Sequence, residues 1–394
     1  MRFLAALLCA LAMSLSLAQA EIFDGEELIT VDGKTGLIRF YEGSRGRPLI
    51  VLAPGGGTAA RIFYGVHDGR QPDDFLATHL NAFGYNVLAV SIPIDTGDPI
   101  FDDPDPGFSI RDWGTLLAGA ANHVMRSHGL GPRVILAGWS MAGKSAQSMA
   151  AAARARGFEV ELFISLAATP PVLGVLPIEQ GYPMTPETGY GQAPDPDYKG
   201  ARWNLRVNAK ANGVDEIIPA LDYLAHYVGE GPVGVSHTGI RYRDAEIVAD
   251  MTADILDGQG FDFAGFPLVA TVIPSTRHDI RHAVTDLHTW GMITTNHLYQ
   301  ARLKHAGDVL RDLSKSNFQE LRRLIIDAPE RLSVDVPGNH FFFVGEIGAR
   351  QTAEAIASLE AEATVLVEEL DAILNPSEAS GPEHSANPVG AAPG

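Results

Sequence analysis

The sequence predicts an α/β fold: a mostly parallel central sheet flanked by helices. Two observations carry this. Short runs of strand length alternate with segments of helical periodicity. Those runs are apolar throughout, as in strands covered on both faces, rather than alternating apolar with polar.

Taken in order, Leu28–Val31 and Leu37–Phe40 flank Asp32-Gly33, a hairpin joined through a D-G turn that adds antiparallel strands at one edge. The run Leu49–Ala53 follows and ends at Pro54-Gly55-Gly56-Gly57. A helix is expected over about 72–83, a strand over Val87–Val90 and a helix over about 110–128. Next come the strand Val134–Ala137, an Ala-rich helix over about 141–155 and the strand Leu162–Leu166. The alternation then stops near Pro170, after the sixth strand, and resumes with Leu268–Ile273 and Leu332–Val336. The last helix spans about 349–374, with Ile356, Leu359, Leu366, Leu370 and Ile373 on one face and Asn375-Pro376 as its stop. The core thus divides into 21–172 and 263–375. Residues 173–262 form an insertion too long for a structureless loop, and a cap over the site is expected there.

The ends read differently. Residues 1–20 have Arg2, an apolar run and the A-x-A site Ala18-Gln19-Ala20, the pattern of a secretory signal peptide. The only cysteine, Cys9, lies inside it, so an exported chain would hold no disulfide, thiol nucleophile or thiolate-bound zinc. A periplasmic or extracellular location is expected. Residues 376–394, rich in Pro, Gly, Ser and Ala, read as a disordered tail. The 394 residues carry 29 Lys+Arg against 48 Asp+Glu, a formal net charge of −19. That balance argues against nucleic acid as a partner, because such a surface repels phosphates. No other apolar run has the length of a membrane span.

The decisive segment is Gly138-Trp139-Ser140-Met141-Ala142-Gly143-Lys144-Ser145. It satisfies the phosphate-loop pattern G-x-x-x-x-G-K-[ST] and nearly satisfies the nucleophile elbow G-x-S-x-G, with Ala142 in place of the last glycine. A phosphate loop needs an acidic residue closing a neighbouring strand, yet the next strand ends Ile164-Ser165-Leu166-Ala167 without one. The elbow reading makes Ser140 the nucleophile. It calls for oxyanion N–H donors, one from Met141 and one from Gly56 or Gly57 in the earlier glycine turn. It also calls for a late histidine, and His340 in Val336-Pro337-Gly338-Asn339-His340 follows the last strand.

The motifs PGGG (54–57), GWSMAG (138–143) and PGNHF (337–341), in this order and spacing, resemble the α/β-hydrolase superfamily, and the last is similar to the histidine turn of its thioesterase-like members. The resemblance covers nearly all of the chain between residue 21 and the tail. It implies an eight-stranded, mostly parallel sheet and a triad in the order Ser–acid–His. It also implies that the acid follows the strand after the insertion, which selects Asp279, with Asp286 in reserve. His340 follows Asp279 by 61 positions, more than expected, and extra helix within 296–327 is expected to absorb them.

A rival lies in the same stretch. His278, His282 and Asp286 fall at i, i+4 and i+8, where one helix face could present them to a metal. H-E-x-x-H is absent, no further ligand is evident, and no metal is expected. Trp139, Tyr182, Tyr190 and Trp203 are candidates for pocket walls or for packing alone. The resulting expectation is an exported serine hydrolase acting on a small-molecule carboxylic ester without a cofactor. A thioesterase or peptidase of the same fold, a phosphate-loop nucleotide hydrolase and a non-catalytic binding protein are the alternatives.

Overall fold

The computed structural model describes residues 22–102, 105–175, 184–185, 187–191 and 199–375. The expected signal, Cys9, the tail and Tyr182 lie outside these residues.

The opening hairpin forms from β1 (Glu26–Val31) and β2 (Lys34–Tyr41), antiparallel, with Val31 opposite Lys34. Asp32 and Gly33 both have positive φ, 49° and 80°, the backbone that a two-residue hairpin turn demands and that Asp-Gly supplies. Six further strands complete the sheet: β3 (Leu49–Ala53), β4 (Asn86–Ser91), β5 (Arg133–Trp139), β6 (Glu159–Leu166), β7 (Leu268–Pro274) and β8 (Ser333–Val336). Their spatial order is β1-β2-β4-β3-β5-β6-β7-β8. Within this sheet the β1–β2 and β2–β4 pairings are antiparallel. The others run parallel, so the carboxyl ends of β3, β5, β6, β7 and β8 share one edge.

Side-chain alternation splits each central strand between two apolar layers. On β3, Ile50 and Leu52 enter one layer and Leu49, Val51 and Ala53 the other. The first layer is closed by α1 (Leu76–Ala82), α6 (Lys315–Arg331) and α7 (Glu346–Leu374), through Leu80, Leu324, Ile356 and Leu359. The second is closed by α2 (Ile110–His128), α3 (Ala146–Ala155) and α5 (Ile280–His297), through Trp113, Met149 and Trp290. Helix α2 starts on a capping box, with Ser109 accepting from the Asp112 N–H and Asp112 accepting from that of Ser109. It ends at Gly129 in the left-handed conformation.

Two sequence expectations are refined. The segment 72–83 is a 3₁₀ turn (Pro72–Asp74) followed by α1, and the Ala-rich helix begins only at Ala146, because Ser140–Ser145 form a 3₁₀ turn. Between β6 and β7 the chain adds strands to a small second sheet, in which Asp95–Thr96 pairs with Gly229–Pro232, and Tyr190–Gly191 and Met184–Thr185 complete it. Val228 bridges Thr58 at the end of the glycine turn. From the same stretch, α4 (Lys199–Ala211) packs on the loop after β8. Among the described residues, no helix is long and apolar enough to cross a membrane.

The loop carrying His340 is fastened to α4 by amides. Asn208 Nδ2 donates to the carbonyls of Phe341 (2.8 Å) and Val344 (3.0 Å). Asn339 Nδ2 donates to Asn208 Oδ1, and Asn339 Oδ1 accepts from the Phe341 N–H. Both side chains are buried. Asn208→Ala strands two buried carbonyls and is expected to lower stability by about 1–3 kcal/mol, read as a shift of the urea midpoint. An unshifted midpoint would mean that other contacts hold this loop.

Candidate active site

Ser140 sits at the tip of β5 with φ 56°, a left-handed backbone rare for a residue bearing a β-carbon. The strand-to-helix turn it forces is tight. A β-carbon on Gly138 would stand 2.9 Å from the Phe163 ring. One on Gly143 would stand 2.5 Å from the Thr169 carbonyl oxygen, and the Thr169 N–H donates to the Ser140 carbonyl at 2.8 Å. The close approach on the helix side therefore falls on Gly143. Ala142 is buried in the second apolar layer, which accounts for the departure from G-x-S-x-G.

The glycine turn after β3 lies against this tip. A β-carbon on Gly55 would meet the Ser140 Cβ at 3.1 Å and its Oγ at 3.5 Å, and one on Gly56 would meet the Met141 Cβ at 3.4 Å. Side chains there would crowd Ser140, so glycine leaves only backbone in reach. Met141 is the second residue of its 3₁₀ turn, where the N–H has no acceptor within the turn.

Asp279 and His340 arrive from neighbouring strands. The parallel register places Pro274 opposite Val336, so the loops after β7 and β8 leave the sheet side by side. His340 Nδ1 and Asp279 Oδ2 are 2.7 Å apart. The 61-position separation is absorbed by α5, a short helix Gly307–Asp312, and α6. Burial alone would raise the Asp279 carboxyl. The hydrogen bond from His340, with the charges of His340, His282 and Arg281, outweighs it and holds the group below its ordinary value. For His340, burial lowers the imidazole below its ordinary 6.5 against the upward pull of Asp279. Its ring leans on Trp139 (5.2 Å between centroids), whose Nε1 donates to the His340 carbonyl at 2.9 Å.

Ser140, Met141, Gly56, Gly57 and His340 line one cavity of about 290 Å³. Trp139, Tyr223, Val228 and Phe341 give it apolar walls; Thr58, Asn204 and Ser236 add neutral polar groups. An open groove of about 930 Å³ lies at the opposite end of the strands, by Arg133, Glu159 and Leu268. The loops that carry Ser140, Asp279 and His340 do not reach it, and in such sheets ligands bind beyond the carboxyl ends.

The strand order, the edge antiparallel hairpin and the Ser140 turn between β5 and a helix decide the architecture. The fold is that of the α/β-hydrolases. No family model matches the chain, and no curated protein is significantly similar to it. Among solved structures, the chain is similar to the thioesterase domain from the curacin biosynthetic pathway (13% identity over 87% of this chain and 98% of that one, TM-score 0.39). It is also similar to a thermophilic esterase from Thermogutta terrifontis (13% identity, 86% and 98%, TM-score 0.43). Likeness at this level leaves substrate and reaction to the chemistry of the site.

Other sequence candidates fall elsewhere on the hydrolase fold. Asp286 bonds His282 Nδ1 with both oxygens at 3.0 Å, while His340 Nδ1 is taken by Asp279. His278 lies in the 3₁₀ turn before α5 and meets the Trp203 ring at 4.4 Å, so the i, i+4, i+8 trio does not share a helix face. Tyr190 is buried beside the cavity-lining Gly191, and Trp203 is exposed. Lys144 is buried, donates to the His237 carbonyl at 2.7 Å and is pushed down to about 8 by burial. Ser145 donates to the Ala142 carbonyl. The two side chains a phosphate loop would turn to its ligand are thus spent internally. Sequence reasoning missed Asn204, Tyr223 and Ser236, scattered polar and aromatic positions with no motif around them. Asp279, His282 and His340 also each bring a ligand atom to within 4.8 Å of the other two, an arrangement able to hold a metal.

Two outcomes are expected. Gly143→Ala, which pushes a β-carbon onto a backbone oxygen, should destabilise the protein by about 1–3 kcal/mol in thermal unfolding while leaving secondary structure intact. If the neutral imidazole is the active form, rate falls as His340 gains its proton. Because its value lies below 6.5, the acid limb of kcat/KM should have its midpoint below 6.5; a midpoint above it contradicts the assignment.

Proposed function

We propose that this protein is an exported serine hydrolase that cleaves small, uncharged carboxylic esters. The single observation that supports this most is the pairing of His340 Nδ1 with Asp279 Oδ2 at 2.7 Å, beside a serine held at φ 56° in the same cavity. Export rests on the sequence of residues 1–20.

In this reading Asp279 fixes the His340 tautomer with the proton on Nδ1, leaving Nε2 to accept. Ser140 Oγ attacks the ester carbonyl carbon as Nε2 takes its proton. The carbonyl oxygen becomes an oxyanion facing the N–H of Met141 and that of Gly56 or Gly57, each donor worth about 3 kcal/mol of barrier. Collapse expels the alkoxide, which takes the proton from His340 and leaves as alcohol. Water, deprotonated by His340, then attacks the acyl-enzyme; the carboxylic acid departs and Ser140 recovers its proton.

No Asp, Glu, Lys or Arg lines the cavity among the described residues, which favours an uncharged substrate, since a buried charge without a partner is costly. A volume near 290 Å³ is at the small end for ligand sites. Residues 173–262 act as the cap in this reading, supplying Tyr223, Val228 and Ser236 to the wall. Lys144, tied to the His237 carbonyl, fastens that cap to the elbow turn.

Ser140→Ala should abolish covalent labelling by a fluorophosphonate probe together with esterase turnover; retained labelling would overturn the nucleophile assignment. Across p-nitrophenyl esters, kcat/KM should fall as the acyl chain lengthens from butyrate to palmitate. A profile rising with chain length would contradict the cavity-based substrate class.

A further inference from the structure

Next to the proposed triad stands a second His–carboxylate pair that the reaction above does not use. His282 and Asp286 are one turn apart on α5, both buried, joined through His282 Nδ1 at 3.0 Å. An acceptor carboxylate on Nδ1 fixes the proton there and leaves the lone pair on Nε2. Arg281 Nη1 lies 3.5 Å from that Nε2, consistent with its being an acceptor. The His282 ring lies nearly parallel to that of His340, centroids 5.3 Å apart. One ligand atom from each of Asp279, His282 and His340 falls within 4.8 Å of the others.

We propose that Asp279, His282 and His340 form a zinc-binding site, with Asp286 as the carboxylate behind His282, and that zinc bound there switches the hydrolase off. Binding itself stands on this geometry alone; the inhibition rests on the ester-hydrolase reading.

Two imidazoles and a carboxylate are a donor set that zinc accepts, with a fourth position left for water. Donors on tetrahedral zinc stand about 3.4 Å apart at metal–ligand distances of about 2.1 Å. Atoms no more than 4.8 Å apart therefore need to close by at most about 1.4 Å, within the reach of side-chain torsions. A carboxylate on the far nitrogen of a metal-bound histidine orients the ring and raises its basicity. Asp286 is placed to do this for His282. On binding, the His340 proton moves from Nδ1 to Nε2, which frees Nδ1 and the Asp279 carboxylate to turn from each other to the metal. His340 then cannot take the serine proton in its productive orientation. Arg281 is a cation beside the cluster. It bonds Thr169 Oγ1 through Nη2 and opposes a second positive charge, which moderates affinity.

The test is calorimetric titration of the chelator-treated full chain with zinc chloride at neutral pH. One zinc per chain is expected. Affinity should fall about tenfold or more in His282→Gln and in Asp286→Asn, and should rise in Arg281→Gln. Ser140→Ala should bind zinc like the unaltered chain, which separates binding from catalysis. Cobalt(II) loading of the unaltered chain should give the intense visible bands of a four-coordinate site, an observation independent of whether any variant folds. No binding heat, equal affinity in His282→Gln, or only the weak bands of hydrated cobalt overturns the site. Ester turnover should fall as zinc is added and return with chelator; activation by zinc overturns the inhibitory role. A chain that turns over no ester with or without chelator counts against the ester reading, while calorimetry still decides the zinc site.

Discussion

The site hangs on the backbone of one residue. Ser140 at φ 56° is a conformation that costs about 1–3 kcal/mol for a residue with a β-carbon, and it persists only where the surroundings leave no alternative. Here β5 is paired on both edges, to β3 and β6. Phe163 packs too close to Gly138 and the Thr169 carbonyl too close to Gly143 for a β-carbon at either, and the Thr169 N–H holds the Ser140 carbonyl. The serine is thereby lifted clear of the sheet toward the loops from the other strand ends. Relaxing the turn would return it to the strand and dissolve the cavity.

Around that point the parallel sheet performs the assembly. Residues 56, 140, 279 and 340 are spread over most of the chain, yet each lies just past the carboxyl end of β3, β5, β7 or β8. Shared strand direction is sufficient to gather them at one edge. The loop after β8 needs fastening, because an imidazole on a free loop would not hold its orientation. The Asn339–Asn208 amide pair and the Trp139 Nε1 bond to the His340 carbonyl provide it. The insertion takes part as well, since α4 carries Asn208 and Val228 bridges the glycine turn.

Electrostatics at the site is a balance rather than a single dominant pair. Burial pushes Asp279 toward the acid form and His340 toward the neutral base. Their mutual hydrogen bond, with Arg281 and His282 nearby, reverses the first; for His340 that bond only softens the shift, which Arg281 and His282 deepen. The result suits a carboxylate that orients and an imidazole that accepts a proton. The same concentration of nitrogen and oxygen donors underlies the zinc site proposed above.

Much of the fold was legible because strand runs and helix periodicity are local signals. The Asp32-Gly33 turn, the α2 boundaries and eight strand cores arise from neighbouring residues alone, and so does the Ser140 turn, whose small flanking residues announce its strain. The choice of acid was legible only through the family resemblance, which selects Asp279 over Asp286. Asp279 and Asp286 differ by seven positions in similar surroundings, and only the start of α5 at Ile280 and the β7–β8 register decide which carboxylate meets His340. The pairing of His282 with Asp286 was hidden, because the three-residue pattern with His278 assumed a helix that begins later. The cavity wall from Asn204, Tyr223 and Ser236 carries no motif, since lining a pocket asks for position and not for residue type. The sequence by itself determined the elements, the elbow and the order of the candidate site residues. The tertiary structure decided which side chains meet, because that depends on strand register and loop path across separations that no local pattern records.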